Sequence, residues 1–291
     1  MKLCPLCRGE AKRRFGLGHT TAWACTSPDC GLFFADPQLD ERSLTNAYAK
    51  HYYPPNGNGN AAVYENTPHE ILRQTLDKAE AELGPLAGKS LLDLGCGVGG
   101  LCKVASEYGV RAVGIEPDAN ARQKACKSSG LRAYASLGSL RKAQPDTKFD
   151  IVTMWDVIEH LRQPWKDLDE LSDLLRPDGW LLLSTPNAAC LRARVERERW
   201  ENMVNPTHFY YFTRESLEAV LRRAGFSEIA EWRFPIRYPG HARVRQLVHR
   251  ALVSCRLQGQ FVFVGRQKRL ESANGARGSE ENCRTGVHAT G

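Results

Sequence analysis

Asp93 and Glu116 are the residues from which a chemistry can be argued. Asp93 stands near the end of the apolar run SLLDLG (90–95), two positions ahead of Gly95, and Gly97 and Gly99 follow at every second place. Glycines spaced this way between a strand and a helix let the backbone take positive φ and approach a ligand closely. Nucleotide loops share the trait, and plain strand–helix packing uses it too. The carboxylate narrows the choice: beside the loop it repels a pyrophosphate and attracts a cation. Glu116 ends the next apolar run, RAVGIEP (111–117), where it can accept hydrogen bonds from the hydroxyls of a ribose. A ribose, a positive end and no phosphate describe S-adenosylmethionine. The competing reading is a pair of surface acids at two strand ends.

A second constellation lies at the N-terminus. Cys4 and Cys7 form C-x2-C, and Cys25 and Cys30 form C-x4-C. Four thiolates from two short loops suit tetrahedral zinc, and with no coordination position left open that zinc is structural rather than catalytic. Residues 1–36 are too few to build a core unaided; metal binding, on the order of 10–16 kcal/mol for such peptides, would supply the folding energy. Four unlinked buried cysteines are the alternative.

The runs LLDLGCGVGG, GIEPD, FDIVTMWDVIEHLRQP and LLRPDGWLLLSTPN resemble, in order and spacing, the successive motifs of class I S-adenosylmethionine-dependent methyltransferases. Within that class the chain is most similar to the group of ubiquinone O-methyltransferases, over roughly residues 85–265. The resemblance implies that Asp93, Gly95, Cys96 and Gly97 line the methionyl part of the donor and that Glu116 and Pro117 meet its ribose. It places Trp155 and Asp156 beside donor and acceptor. Where similar chains carry an acid or amide for the adenine, this one has YASLGSL (134–140), so Ser136 and Leu137 would have to serve. A histidine like His208, in NPTHFYYFT, occurs in the resembled group and is the first candidate for the base that accepts a hydroxyl proton; His160 is the second. Capping or packing the following helix is the competing role for His208 and orienting the loop that for His160, and Glu159 reads as a structural acid or an N-terminal helix charge. Tyr48, Tyr52 and Tyr53, ahead of PPNGNGN, are candidates for a lid over the acceptor. Tyr210, with Trp200, Phe209 and Tyr211, is a candidate for the opposite wall, although alternating rings equally suit a core. Several groups similar to this chain put a cysteine ribbon before such a domain, among them deoxysugar C-methyltransferases and a ribosomal RNA guanine methyltransferase.

Elements that would position these residues are readable. Strand patterns at 90–95, 111–117, 131–136, 149–156 and 179–187 alternate with helix patterns, and strands at 227–234 and 259–265 close the series. Such alternation implies an α/β, doubly wound, mostly parallel seven-stranded sheet of Rossmann-like kind, binding ligands beyond the carboxyl ends of its strands. A helix near 68–83 has a Thr67–Glu70 capping box and Gly84 as its stop, and should pack on the sheet edge. Four parts follow: a zinc ribbon at 1–36, a linker, lid and helix at 37–88, the methyltransferase domain at 89–266, and a tail at 267–291 without aromatics, expected to be disordered.

The chain of 291 residues carries a net charge of +7 and 25% charged residues, ordinary for a soluble protein. No segment approaches the roughly 20 apolar residues of a membrane span and none resembles a signal peptide, so the expectation is a cytoplasmic enzyme without membrane partners. RYPGHARVRQLVHR (237–250) has no acid and could meet an anion, or simply be an exposed helix. The leading reading is methyl transfer to a small organic acceptor, with oxygen as the expected accepting atom. RNA methylation is less favoured, because WDVIEH replaces the Asn/Asp-Pro-Pro-aromatic sequence that grips a flipped base. Sugar C-methylation remains a further alternative. An NAD-dependent oxidoreductase is opposed by Asp93, and a noncatalytic binding module would be left if the base were lost.

Overall fold

A computed structural model describes residues 1–18, 20–51, 69–233 and 243–267. The 267–291 tail beyond Gln267, the capping residue Thr67, and Tyr52 and Tyr53 lie outside the described residues. Two sheets organise the rest.

The larger sheet has seven strands, in the spatial order 226–231, 260–267, 175–186, 149–155, 90–94, 111–115 and 132–134. Its centre is β5 (Ser90–Leu94), β6 (Arg111–Ile115), β8 (Phe149–Trp155) and β9 (Leu175–Pro186), with β7 (Arg132–Tyr134) at one edge. These pair in parallel, and β12 (Gln260–Gln267) runs antiparallel to β9 and to the other edge strand, β11 (Phe226–Glu231). Central strands buried on both faces read as near-continuous apolar runs, which is why SLLDL and FDIVTMW were legible. Leu91, Leu92, Val152, Met154, Leu181 and Leu183 are buried; each such side chain contributes about 1.5–3 kcal/mol relative to exposure.

Helices cover both faces. α2 (His69–Leu83) buries Leu72, Thr75, Leu76 and Ala79. It packs on α3 (Gly100–Glu107) and joins a cluster with Leu91 and Ile151 at mid-sheet, rather than sitting on the sheet edge as expected. α4 (Ala119–Ser129) starts at Asp118, whose carboxylate accepts from Ala121 N–H, and stops at Gly130. α5 (Leu137–Ala143) and α6 (Pro164–Ser172) follow β7 and β8. Two short helices, α7 (Leu191–Glu196) and α8 (Glu201–Val204), precede α9 (Arg214–Arg223), whose N-cap is Thr213 in a capping box with Ser216. α10 (Arg243–Ser254) connects β11 to β12.

The N-terminal 36 residues form four antiparallel strands, β1 (Lys2–Leu3), β2 (Glu10–Gly16), β3 (Thr21–Cys25) and β4 (Phe33–Asp36), followed by α1 (Glu41–His51). A fifth strand comes from far along the chain: β10 (Tyr210–Tyr211) pairs with β4, Tyr210 opposite Phe34 and Tyr211 opposite Phe33. Leu6, Leu32 and Phe34 share one core with Leu92, Met154 and Phe212. The small module therefore closes its core on the large domain, an arrangement that four short strands could not reach alone.

Candidate active site

Asp93 and Glu116 sit at the carboxyl ends of adjacent parallel strands, Asp93 opposite Gly114. Both are buried, at 3% and 7% exposure. Thr153, directly across on β8, donates to Asp93 Oδ1 at 2.6 Å, and the Cys102 thiol lies 3.6 Å from Oδ2. Burial raises the Asp93 carboxyl from 3.8 to about 6, against the two hydrogen bonds. Glu116 is raised too, chiefly by burial; its two oxygens accept from Gly97 N–H (3.0 Å) and Asp118 N–H (2.9 Å). Two desolvated carboxylates about one loop favour a positively charged ligand.

The loop between them turns on glycines. Gly95 has φ of 74°, and a Cβ there would meet Val157 Cγ2 at 2.5 Å, so no other residue lets β5 and the β8 exit approach this closely. Gly97 also lies at positive φ, 52°. Cys96 offers only backbone to the loop: its side chain is buried with Cys102, Ala125 and Leu131. Pro117 is exposed, with its carbonyl accepting from Arg122.

Ser136 is the N-cap of α5. Its hydroxyl caps α5 by accepting from Ser139 N–H at 3.1 Å, and the Leu137 side chain is buried in the core. Asp156 leaves β8 at φ of 55°, its amide donating to Ser184 and its Oδ1 accepting from Ser184 Oγ (3.0 Å) and Gln260 Nε2 (2.5 Å). Trp155 is half-buried at the strand end.

Beyond Asp156, the turn Ile158–His160 meets the loop before β10. His160 Nδ1 lies 3.0 Å from Thr207 O; since a carbonyl can only accept, Nδ1 carries the proton and the lone pair is on Nε2. Its ring stands edge-on to His208 at 4.6 Å and 6.0 Å from Tyr48 of α1. Burial lowers His160 to about 4, so it is neutral at physiological pH. His208 is neutral as well, pushed well below its ordinary value by burial and by His160. It donates from Nδ1 to Asn202 O (2.9 Å) and accepts at Nε2 from Asn205 Nδ2 (3.0 Å). The Asn205 amide is fixed in that orientation because its Oδ1 accepts from Thr207 N–H and Oγ1–H. His208, the first candidate for the base, thus has both ring nitrogens hydrogen-bonded and is 5% exposed.

Two further residues depart from expectation. Tyr210 does not line an acceptor site: it is buried, donates from its hydroxyl to Arg162 O (2.9 Å), and packs on Trp165 and Phe212. Its strand is the seam between the two sheets, and Trp200, Phe209 and Tyr211 are core residues too. Glu159, read from sequence as a structural acid, stands beside both histidines. Thr185 donates to its Oε2 at 2.9 Å, while Oε1 is buried without a hydrogen-bond partner. Burial and the charge of Asp156 push its carboxyl well up. Glu159, His160 and His208 each bring one potential ligand atom within 4.8 Å of the others, but both ring nitrogens of His208 are already hydrogen-bonded. The D-x-x-E-H spacing after β8 was the available signal for Glu159.

The four N-terminal thiols converge. Cys4 Sγ is 3.7 Å from Cys30 Sγ, Cys7 Sγ is 3.5 Å from Cys25 Sγ, and all four lie within 4.8 Å of one another. Zinc–sulfur bonds of about 2.3 Å at tetrahedral angles put ligand sulfurs roughly 3.8 Å apart, so the cluster fits the ion. Gly9 N–H points at Cys7 Sγ (3.4 Å) in the first turn. In the second, Cys30 and Gly31 both donate to Ser27 O, closing the longer C-x4-C loop.

Comparison with known proteins gives this arrangement a family. The family model of the methyltransferase domain matches residues 65–231, more than half of the chain, and the chain belongs to that family. It is an S-adenosylmethionine-dependent methyltransferase. The ubiquinone biosynthesis O-methyltransferase of Rhodopseudomonas palustris (strain BisA53) is 28% identical over 57% of this chain and 74% of its own length. That of Ruegeria pomeroyi is 31% identical over 55% and 69%. Others of the same name are matched over about half their length or less, 43% to 53%. Haemonchus contortus phosphoethanolamine N-methyltransferase 2, solved with S-adenosyl-L-methionine, shares the fold at a TM-score of 0.53 and 17% identity, over 81% of this chain and 62% of that one. Among the described residues, no helix is long and apolar enough to cross a membrane.

Proposed function

We propose that the chain methylates a hydroxyl oxygen of a small organic acceptor. S-adenosylmethionine supplies an electrophilic methyl on a sulfonium with a neutral thioether as leaving group. Asp93 draws the cationic methionyl end towards the glycine loop, and Glu116 accepts from the ribose hydroxyls. Gly95, Gly97, Trp155 and Asp156 shape the loop and strand exits around the donor. His160 takes the acceptor's hydroxyl proton on Nε2 as the carbon–oxygen bond forms, so the oxygen finishes neutral and the imidazole cationic. His208 holds the ring edge-on and Glu159 closes the floor beneath it. Tyr48 supplies an aromatic wall. Four-cysteine ligation of a structural zinc is part of the same reading.

The observation that carries this reading is the Nδ1 hydrogen bond of His160 to Thr207 O, which fixes the tautomer with its lone pair on Nε2. Support also comes from relatives named as O-methyltransferases. The test is incubation with methyl-labelled donor and a panel of catechols, phenols, amines and an RNA oligonucleotide. Label on a phenolic oxygen is expected; label confined to nitrogen, carbon or RNA would overturn the proposal.

A further inference from the structure

Helix α10 carries a surface that methyl transfer leaves unexplained. Val244, Leu247 and Val248 are 69%, 62% and 54% exposed, and Ala251 is exposed as well. At about 100° per residue these four fall within about 60° of one line along the helix. Arg245 and Arg250, both exposed, flank that line about 100–120° to either side, and the buried Val253 lies on the opposite face. The sequence has no aspartate or glutamate between Glu231 and Glu271. Glu231 itself is turned inward, 2% exposed at its side chain, facing Arg214 and accepting from Gln258; it shares a pocket with Arg233 and Arg250, so arginines outnumber it there.

We propose that α10 docks this protein on an anionic membrane surface. An apolar stripe flanked on both sides by arginines is the pattern of a helix lying in the headgroup plane, with its apolar line in the acyl boundary and its cations among lipid phosphates. A second copy of the chain would set arginines against arginines. A nucleic acid would use the arginines and leave the apolar stripe in water. An anionic bilayer meets both features. The helix also sits where docking matters: it leaves the carboxyl end of β11 and returns to Gln260, opposite Pro186 at the carboxyl end of β9. Gln260 in turn holds Asp156. Docking would therefore bring the ligand-binding edge of the sheet to the lipid. The expectation of no membrane partner asked only about spanning segments. This surface stands whether or not oxygen is the accepting atom.

The test is sedimentation of the full chain with vesicles of phosphatidylcholine alone or mixed equally with phosphatidylglycerol. Binding to the mixed vesicles is expected, falling with salt, and little binding to phosphatidylcholine alone. Arg245→Gln with Arg250→Gln should weaken it by roughly 25-fold, about fivefold for each arginine. Leu247→Gln with Val248→Gln keeps the charge and should weaken it at least tenfold. Thermal melts and methyl transfer to a water-soluble acceptor should be unchanged in both, as the four residues are exposed. Absent or equal sedimentation with the two vesicle types, or full retention by the glutamine pair at 247 and 248, would overturn the proposal. So would a dimer that this pair splits, or RNA binding that the arginine pair loses and the apolar pair keeps.

Discussion

Replacing Asp93 by asparagine separates the cost of burying a charge from the use made of it. A carboxyl that titrates at about 6 in the fold and at 3.8 when unfolded costs the native state about 3 kcal/mol at pH 7. The sign follows from proton binding. The folded chain holds the extra proton between about pH 4 and 6, so stability falls as pH rises through that window and stays low above it. Asp93→Asn removes the charge, keeps an oxygen for Thr153, and should raise the melting temperature of the ligand-free protein at pH 7. For a domain of this size, about 3 kcal/mol corresponds to an upper bound of roughly 6–12 °C. The same change should abolish the stabilisation by S-adenosylmethionine, because the bound cation is what offsets the buried carboxylate. In the unaltered protein the two effects should oppose each other across pH: from pH 7 to 5 the ligand-free melt rises while donor affinity falls towards tenfold per pH unit. Differential scanning fluorimetry with and without donor, from pH 5 to 8, reads all of this. A variant that melts several degrees lower at pH 7, or that still binds donor with unchanged affinity, would refute the reasoning.

Three other outcomes are expected. His160→Gln should lower kcat by about 10²–10⁴-fold with donor affinity retained, whereas His208→Asn should lower the melting temperature more than it lowers kcat; steady-state kinetics beside thermal melts distinguish them, and the opposite split would restore His208 as base. Gly95→Ala places a methyl 2.5 Å from Val157 Cγ2 and should abolish donor binding by calorimetry; adding Val157→Ala should recover part of it, since the positive φ costs only about 1–2 kcal/mol. Cys4→Ser, or treatment with a strong chelator, should release one zinc per chain by elemental analysis and lower the melting temperature; a full complement of metal in the variant would exclude this four-thiol site.

The half of the candidate site on β5 and β6 was legible because its residues lie on the strands that carry them. SLLDLG and RAVGIEP announce a strand, a turn and an acid in consecutive positions, and parallel pairing then makes Asp93 and Glu116 neighbours. The acceptor half was not. Tyr210 looks like a pocket residue in NPTHFYYFT because its alternation is of strand type, but its partner strand is β4, more than 170 residues earlier, and nothing local specifies that pairing. The two histidines could not be told apart for a related reason: their tautomers are set by the Asn205 amide and two backbone carbonyls. Only the fold shows where those hydrogen bonds go. Glu159 was read as a structural acid, but its depth was not legible, because an acid at a turn is ordinarily solvated and here it is sealed between Thr185 and the β10 loop.

That loop explains why a cysteine module is fused to this domain. β4 begins three residues after Cys30, pairs with β10, and Ala35 N–H donates to Phe209 O at 2.9 Å. Phe209 N–H in turn donates to Glu159 O at 2.8 Å. A ladder of backbone hydrogen bonds thus runs from the cysteine turns to the segment that presents Thr207 to His160 and Asn205 to His208. Short strands at a sheet edge are marginal when unsupported, and β10 has two residues. The four strands ahead of it turn that pair into part of a sheet. A loop able to shift by 1 Å at Thr207 would let the His160 ring turn, and near-attack geometry tolerates little of that. Fusion to the domain thus ties the cysteine turns, through backbone hydrogen bonds, to the segment whose Thr207 carbonyl fixes the His160 tautomer.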